Sequence, residues 1–149
     1  MSKSKKIDVT KLVNNPFVGF DFEIVVNRVG EDEVPLERCS YSKVFRLVVN
    51  REKVDRLSLN GKQLFLWILY RVDYGNDWIL VERDKYMKSH EISSVNTYKS
   101  AVENLVDNGI IAYSTIKNIF FINPKIFFMG SRAKKYPENV KLYEPNKDK

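Results

Sequence analysis

Histidine and cysteine are nearly missing: this chain of 149 residues has one of each, His90 and Cys39. A single cysteine cannot close an intramolecular disulfide, which fits a reducing, cytoplasmic setting. One His and one Cys cannot build a His/Cys zinc site, and the same count excludes a rolling-circle nickase of the His-x-His metal type. No Gly-x-x-x-x-Gly-Lys loop and no Gly-x-Ser-x-Gly elbow occurs. Eight tyrosines are present, but none sits in a metal motif that would activate it, and no spacing among the nineteen carboxylates singles out an acid–base pair. The expectation is a protein that is not an enzyme and needs no cofactor. Cys39 reads as a loop or edge residue. His90 falls in a turn between two helices, where packing or capping is its expected task.

Long apolar runs are absent too. The longest, residues 64–70, has seven members, against the roughly 20 that cross a bilayer. No membrane partner is expected. The start, MSKSKKIDVT, is charged and lacks an apolar segment, so no signal peptide is expected. No internal repeat or low-complexity tract is evident. Even the net charge of +6 is missing from the middle of the chain: residues 1–11 carry +3, residues 131–149 carry +3, and residues 12–130 hold fifteen charges of each sign. Basic ends of this kind either hold phosphate non-specifically or simply solvate the termini.

What is present is core material for one domain of ordinary size, with 44% hydrophobic residues. From Phe20, apolar Phe20, Phe22, Ile24 and Val26 alternate with Asp21, Glu23 and Asn27, the period of a half-buried strand. Residues 29–40 (VGEDEVPLERCS) read as a loop. Tyr41, Lys43, Phe45, Leu47 and Val49 then alternate with Ser42, Val44, Arg46 and Val48, which predicts a second strand paired with the first. Residues 1–50 thus form a strand-rich element and not a linker.

In LSLNGKQLFLWILYRVDYGND, residues 64–69 are apolar all round, predicting a central buried helix started by Ser58 or Asn60 and ended by the turn at 74–77. Residues 78–82 read as a short strand, and residues 83–90 as a short helix that buries Tyr86 and Met87. A longer helix follows, capped by Ser93 or Ser94. Its stripe of Val95, Tyr98, Val102, Leu105 and Val106 faces inward, leaving Asn96, Thr97, Lys99, Ser100, Glu103 and Asn104 outside. Gly109 stands where a left-handed C-terminal cap belongs. The period then becomes two across 110–114 and 119–122, around a tip at 115–118, which is a hairpin. Asn123 and Pro124 end that hairpin and start one or two turns of helix at 124–129, with Gly130 as the stop. Ile126, Phe127 and Met129 would fold back on the domain, each contributing roughly 1.5–3 kcal/mol by burial.

The predicted fold is α+β: a winged helix-turn-helix with an N-terminal β-hairpin extension. Residues 1–50 form the strand-rich extension with its basic start, 51–130 the winged helix-turn-helix domain, and 131–149 a basic C-terminal tail. A helix-turn-helix ending in LVDNGII, a hairpin running into IFFINPKIFFMGSR, and a short basic ending together resemble the RepL type of plasmid replication protein from Gram-positive bacteria. Related winged-helix proteins occur in phages. The resemblance covers about residues 57–132. Its most specific part is Asn123-Pro124 followed by Phe128-x-Gly130-Ser131-Arg132; residues 1–50 match nothing in it.

The resemblance implies double-stranded DNA binding in plasmid or phage replication initiation or its control, without catalysis. By position, residues 94–108 become the recognition helix, entered at Ser94, with Asn96, Thr97, Lys99 and Ser100 facing the major groove. Asn suits bidentate contact with adenine, and Lys suits guanine or phosphate. Lys117 and Asn118 fall at the wing tip, while Arg132, Lys134 and Lys135 add phosphate contacts. A homodimer is expected, paired through the strands of 20–50. Charge supports the other reading. Residues 83–109 are neutral, with Arg83, Lys85, Lys88 and Lys99 against Asp84, Glu91, Glu103 and Asp107, whereas phosphate neutralisation supplies most DNA affinity. The alternative is a non-catalytic structural or adaptor protein of a phage or mobile element, present in the virion, whose winged helix docks other phage or replication proteins. It requires that Glu103 and Asp107 stay on the presented face.

Overall fold

The computed structural model describes residues 14–27, 36–37 and 48–142. The basic start, Cys39, residues 41–47 of the expected second strand, and Lys147 and Lys149 of the tail lie outside the described residues. The described chain is a mixed α+β structure.

Helix α1 spans Val48–Asp55, so Val48 and Val49, expected at the end of a strand, are helical. Helix α2 spans Leu59–Leu69. Ser58 caps it: its hydroxyl accepts from the Gly61 amide at 3.0 Å, satisfying one of the helix's orphan donors. Gly61, Leu64, Phe65, Trp67 and Ile68 are buried. Leu66, however, is 52% exposed, and Leu59 and Tyr70 more so. The expectation of a helix buried all round therefore fails on one stripe, because α2 lies at the edge of the core and not across its middle.

Strand β3 (Trp78–Leu80) leads into helix α3 (Arg83–Ser89), which buries Tyr86 and Met87 as expected. His90 follows it, and its ring packs on Trp67 and Tyr86 with Nδ1 3.1 Å from the Tyr86 carbonyl. Helix α4 spans Val95–Asp107. Tyr98, Ala101, Val102 and Leu105 are its buried side, while Val95 at its start is 38% exposed. Gly109 has φ +69°, the left-handed conformation its position requires. Strands β4 (Ile111–Tyr113) and β5 (Ile119–Ile122) form an antiparallel hairpin, with Ile111 opposite Ile122. Strand β3 pairs with the other edge of β5, Trp78 opposite Phe121, giving the order β3-β5-β4. All four residues of β5 are buried, which is why IFFI reads as an unbroken apolar run and not an alternation.

Helices α2 and α4 pack on each other at Gly61. A Cβ there would collide with the Asn104 amide. That amide oxygen accepts from the Ser58 amide at 2.9 Å and from the Ser58 hydroxyl at 3.1 Å. Asn104, expected on the outer polar face, is thus half-buried and joins the start of α2 to α4.

No helix forms at 124–129. Asn123 is 3% exposed; its side chain donates to the Gly109 carbonyl at 2.8 Å and accepts from the Lys125 amide at 3.0 Å. The chain makes a single turn at 124–126 and then extends. Ile126, Phe127 and Phe128 are all essentially inaccessible.

The second sheet has the order β2-β1-β6. Strand β1 is Ile24–Asn27 and β2 is Leu36–Glu37, antiparallel to it. The pairing partner thus lies in the stretch read as a loop. Phe22, Ile24 and Val26 are buried as expected, but Phe20 is fully exposed, because the chain turns there and the Phe22 amide donates back to the Gly19 carbonyl at 3.0 Å. Helix α5 (Arg132–Lys135) starts where Ser131 caps it. Strand β6 (Val140–Leu142) then runs parallel to β1, Ile24 opposite Val140. Residues 132–142, expected as tail, are therefore part of the folded body. A polar cluster joins the two ends: Asn15 donates to the Ile122 carbonyl at 2.9 Å and to the Asp77 carboxylate at 3.2 Å, which also accepts from the Tyr136 hydroxyl at 2.9 Å. No helix among the described residues is long and apolar enough to cross a membrane.

Candidate functional site

The outer strip of α4 consists of Asn96, Lys99, Ser100, Glu103 and Asp107, all exposed. Spacings of three and four residues put them on one face. The strip changes sign along its length, polar and basic in the first half and acidic in the second. Ser94 is exposed at the N-cap but makes no capping bond through its side chain, and Thr97 is half-buried.

Beside this strip lies a groove of about 270 Å³ between α4 and the hairpin. Its floor is apolar, with Val95, Val102 and Phe120 contributed by both elements. Arg83, Lys99 and Lys117 also line it, and so does Glu103. Lys99 and Lys117, separated by eighteen positions in sequence, are therefore brought to one concavity by the fold. Arg83 enters from the start of α3, its Nε 3.3 Å from the Asp84 carboxylate.

The hairpin tip is held in place from within. Ser114 donates to the Ile119 carbonyl at 2.6 Å and accepts from the Ile116 amide at 3.1 Å. Asn118 adopts φ +62°, a conformation that Asn tolerates better than most residues. Its amide oxygen accepts from the Tyr98 hydroxyl at 3.2 Å. Burial pushes the Tyr98 pKa up to about 12, against the pull of the Arg83 charge, so this hydroxyl keeps its proton and its bond. Tyr113, 57% exposed on β4, faces the groove. Its pKa is raised by partial burial and by the nearby Glu103 and Asp107 carboxylates. Both acids therefore act on the hairpin side of α4.

Arg132 is not a surface cation. It is 7% exposed and donates to the Pro124 carbonyl at 3.0 Å, bracing the turn after the hairpin. Lys134 and Lys135 are exposed, but on α5, which packs against β1 and does not line the groove. Lys99, Lys117 and Asn118 come together, while Arg132, Lys134 and Lys135 do not join them. Sequence reasoning passed over Arg83 and Tyr113, because nothing local marks an arginine at a helix start or a tyrosine at a strand end as groove-lining. No group of His, Cys, Asp and Glu side chains that could hold a metal occurs among the described residues. No family model matches this chain, and no curated protein and no solved structure matches it either.

Proposed function

We propose that residues 59–122 are a winged helix-turn-helix that binds double-stranded DNA through the first half of α4 and the tip of the β4–β5 hairpin. One observation carries this reading: Lys99, Lys117 and Arg83 converge on a single groove beside the exposed Asn96 and Ser100. The element order from α2 to β5, with β5 between β3 and β4, supports the winged-helix part. Cations on a helix and a hairpin tip can engage neighbouring phosphates, and Asn96 can read an adenine edge. Asp107 need not oppose this. Asn96 and Asp107 lie roughly 16 Å apart along the helix axis at 1.5 Å per residue, so an approach led by the N-terminal residues keeps Asp107 away from the phosphates. A role in plasmid or phage replication, or its control, rests on the resemblance of residues 57–132, most specific at 123–132.

The adaptor reading keeps one specific support: Glu103 lines the same groove as the cations, and residues 83–118 carry five cations against four carboxylates. Salt dependence separates the two. Duplex affinity should fall steeply as salt rises, and Lys99→Ala and Lys117→Ala should each flatten the log–log slope by about one. Arg132→Ala should leave the slope unchanged, because its guanidinium is engaged inside the fold. Absence of duplex binding, or binding without a salt slope, would replace this proposal with the adaptor.

A further inference from the structure

We infer that the groove between α4 and the hairpin holds an unstacked nucleobase, so that this protein prefers DNA with an unpaired stretch to intact duplex; the inference rests on the DNA-binding reading above. Phosphate contacts need only surface cations. They do not need an apolar concavity of about 270 Å³ with aromatic side chains in its lining. Intact duplex presents charged backbone and stacked pairs, and would leave that floor facing water or phosphate, at a cost in unburied apolar area. A flat base fits it better. Tyr113 is largely exposed in the groove, 6.0 Å from Phe120 between ring centroids, and offers a face for stacking. Arg83, Lys99 and Lys117 in the same lining would hold the phosphates on either side.

Glu103 also becomes intelligible. A carboxylate repels a phosphate but accepts a hydrogen bond from an exocyclic amine, which cytosine, adenine and guanine carry and thymine lacks. The expected ligand is thus an unpaired amine-bearing base, not thymine, flanked by phosphates.

The test uses the full chain and labelled DNAs of equal length: an intact duplex, the same duplex with a short central bubble, and single strands of dA, dC or dT. At one salt concentration the bubble should bind tenfold or more tighter than the duplex, the range that stacking one base supplies. Tyr113→Ala should remove most of that advantage; its exposure on β4 makes unfolding unexpected, and a thermal melt checks this. Glu103→Ala should abolish the preference for dA and dC over dT. A 2-aminopurine in the bubble should be quenched by the wild type and less by Tyr113→Ala. Equal affinity for bubble and duplex, with a normal salt slope, would overturn the base pocket and leave the duplex-binding reading standing. No binding to any DNA would overturn both.

Discussion

Tyr98 shows what burial does to a side chain whose polar end still has a partner. Its hydroxyl bonds to Asn118, and its pKa is pushed up to about 12 by desolvation. In the unfolded chain a phenol titrates near 10. The folded state therefore keeps a proton that the unfolded chain loses, so this contribution is complete below about pH 10 and disappears as pH rises through about 12. Each such phenol steepens the alkaline loss by at most about 1.4 kcal/mol per pH unit. Tyr86 and Tyr136 are raised as well, so the protein should weaken markedly in alkali, and Tyr98→Phe should weaken less steeply. Denaturant unfolding between about pH 9 and pH 11.5 checks this; identical slopes for both proteins would refute it. Single residues were also where pattern reading failed. Arg132 reads as a solvated cation because arginine usually is one, yet it is buried and donates to the Pro124 carbonyl in the turn after the hairpin.

Elements were more legible than residues. The stripe at 95–106, Gly109 and the change to period two are local signals, and α4 and the hairpin follow them. The missing helix at 124–129 and the exposed Leu66 had no local sign, since both depend on what packs alongside. The α2–α4 contact offers a direct test. Gly61→Ala places a methyl against the Asn104 amide that holds Ser58. Helix propensity alone would reward the change by about 1 kcal/mol, but overpacking costs about 1–3 kcal/mol, and losing the Ser58–Asn104 link adds to it. A net loss of about 1–2 kcal/mol in urea unfolding is expected. A more stable Gly61→Ala protein would show that the two helices do not meet as described.

For the whole molecule, the telling feature is closure. Strand β6 lies parallel to β1, and the Asn15–Asp77–Tyr136 cluster ties residues near both ends to the end of β5. Asn15→Ala strips the buried Ile122 carbonyl of that donor, which should cost about 1–3 kcal/mol and speed amide exchange in β5 and β6 together. Exchange rates raised only around residue 15 would argue against this coupling. The sequence by itself determined the helices at 59–69, 83–89 and 95–107 and the hairpin after Gly109, because periodicity and capping act over neighbouring residues. Tertiary structure alone decided that residues 132–142 join the body, that Arg132 is buried and that Lys99, Lys117 and Arg83 meet beside Tyr113. Strand pairing across more than a hundred residues and a groove between two elements depend on packing geometry, to which local sequence pattern is blind.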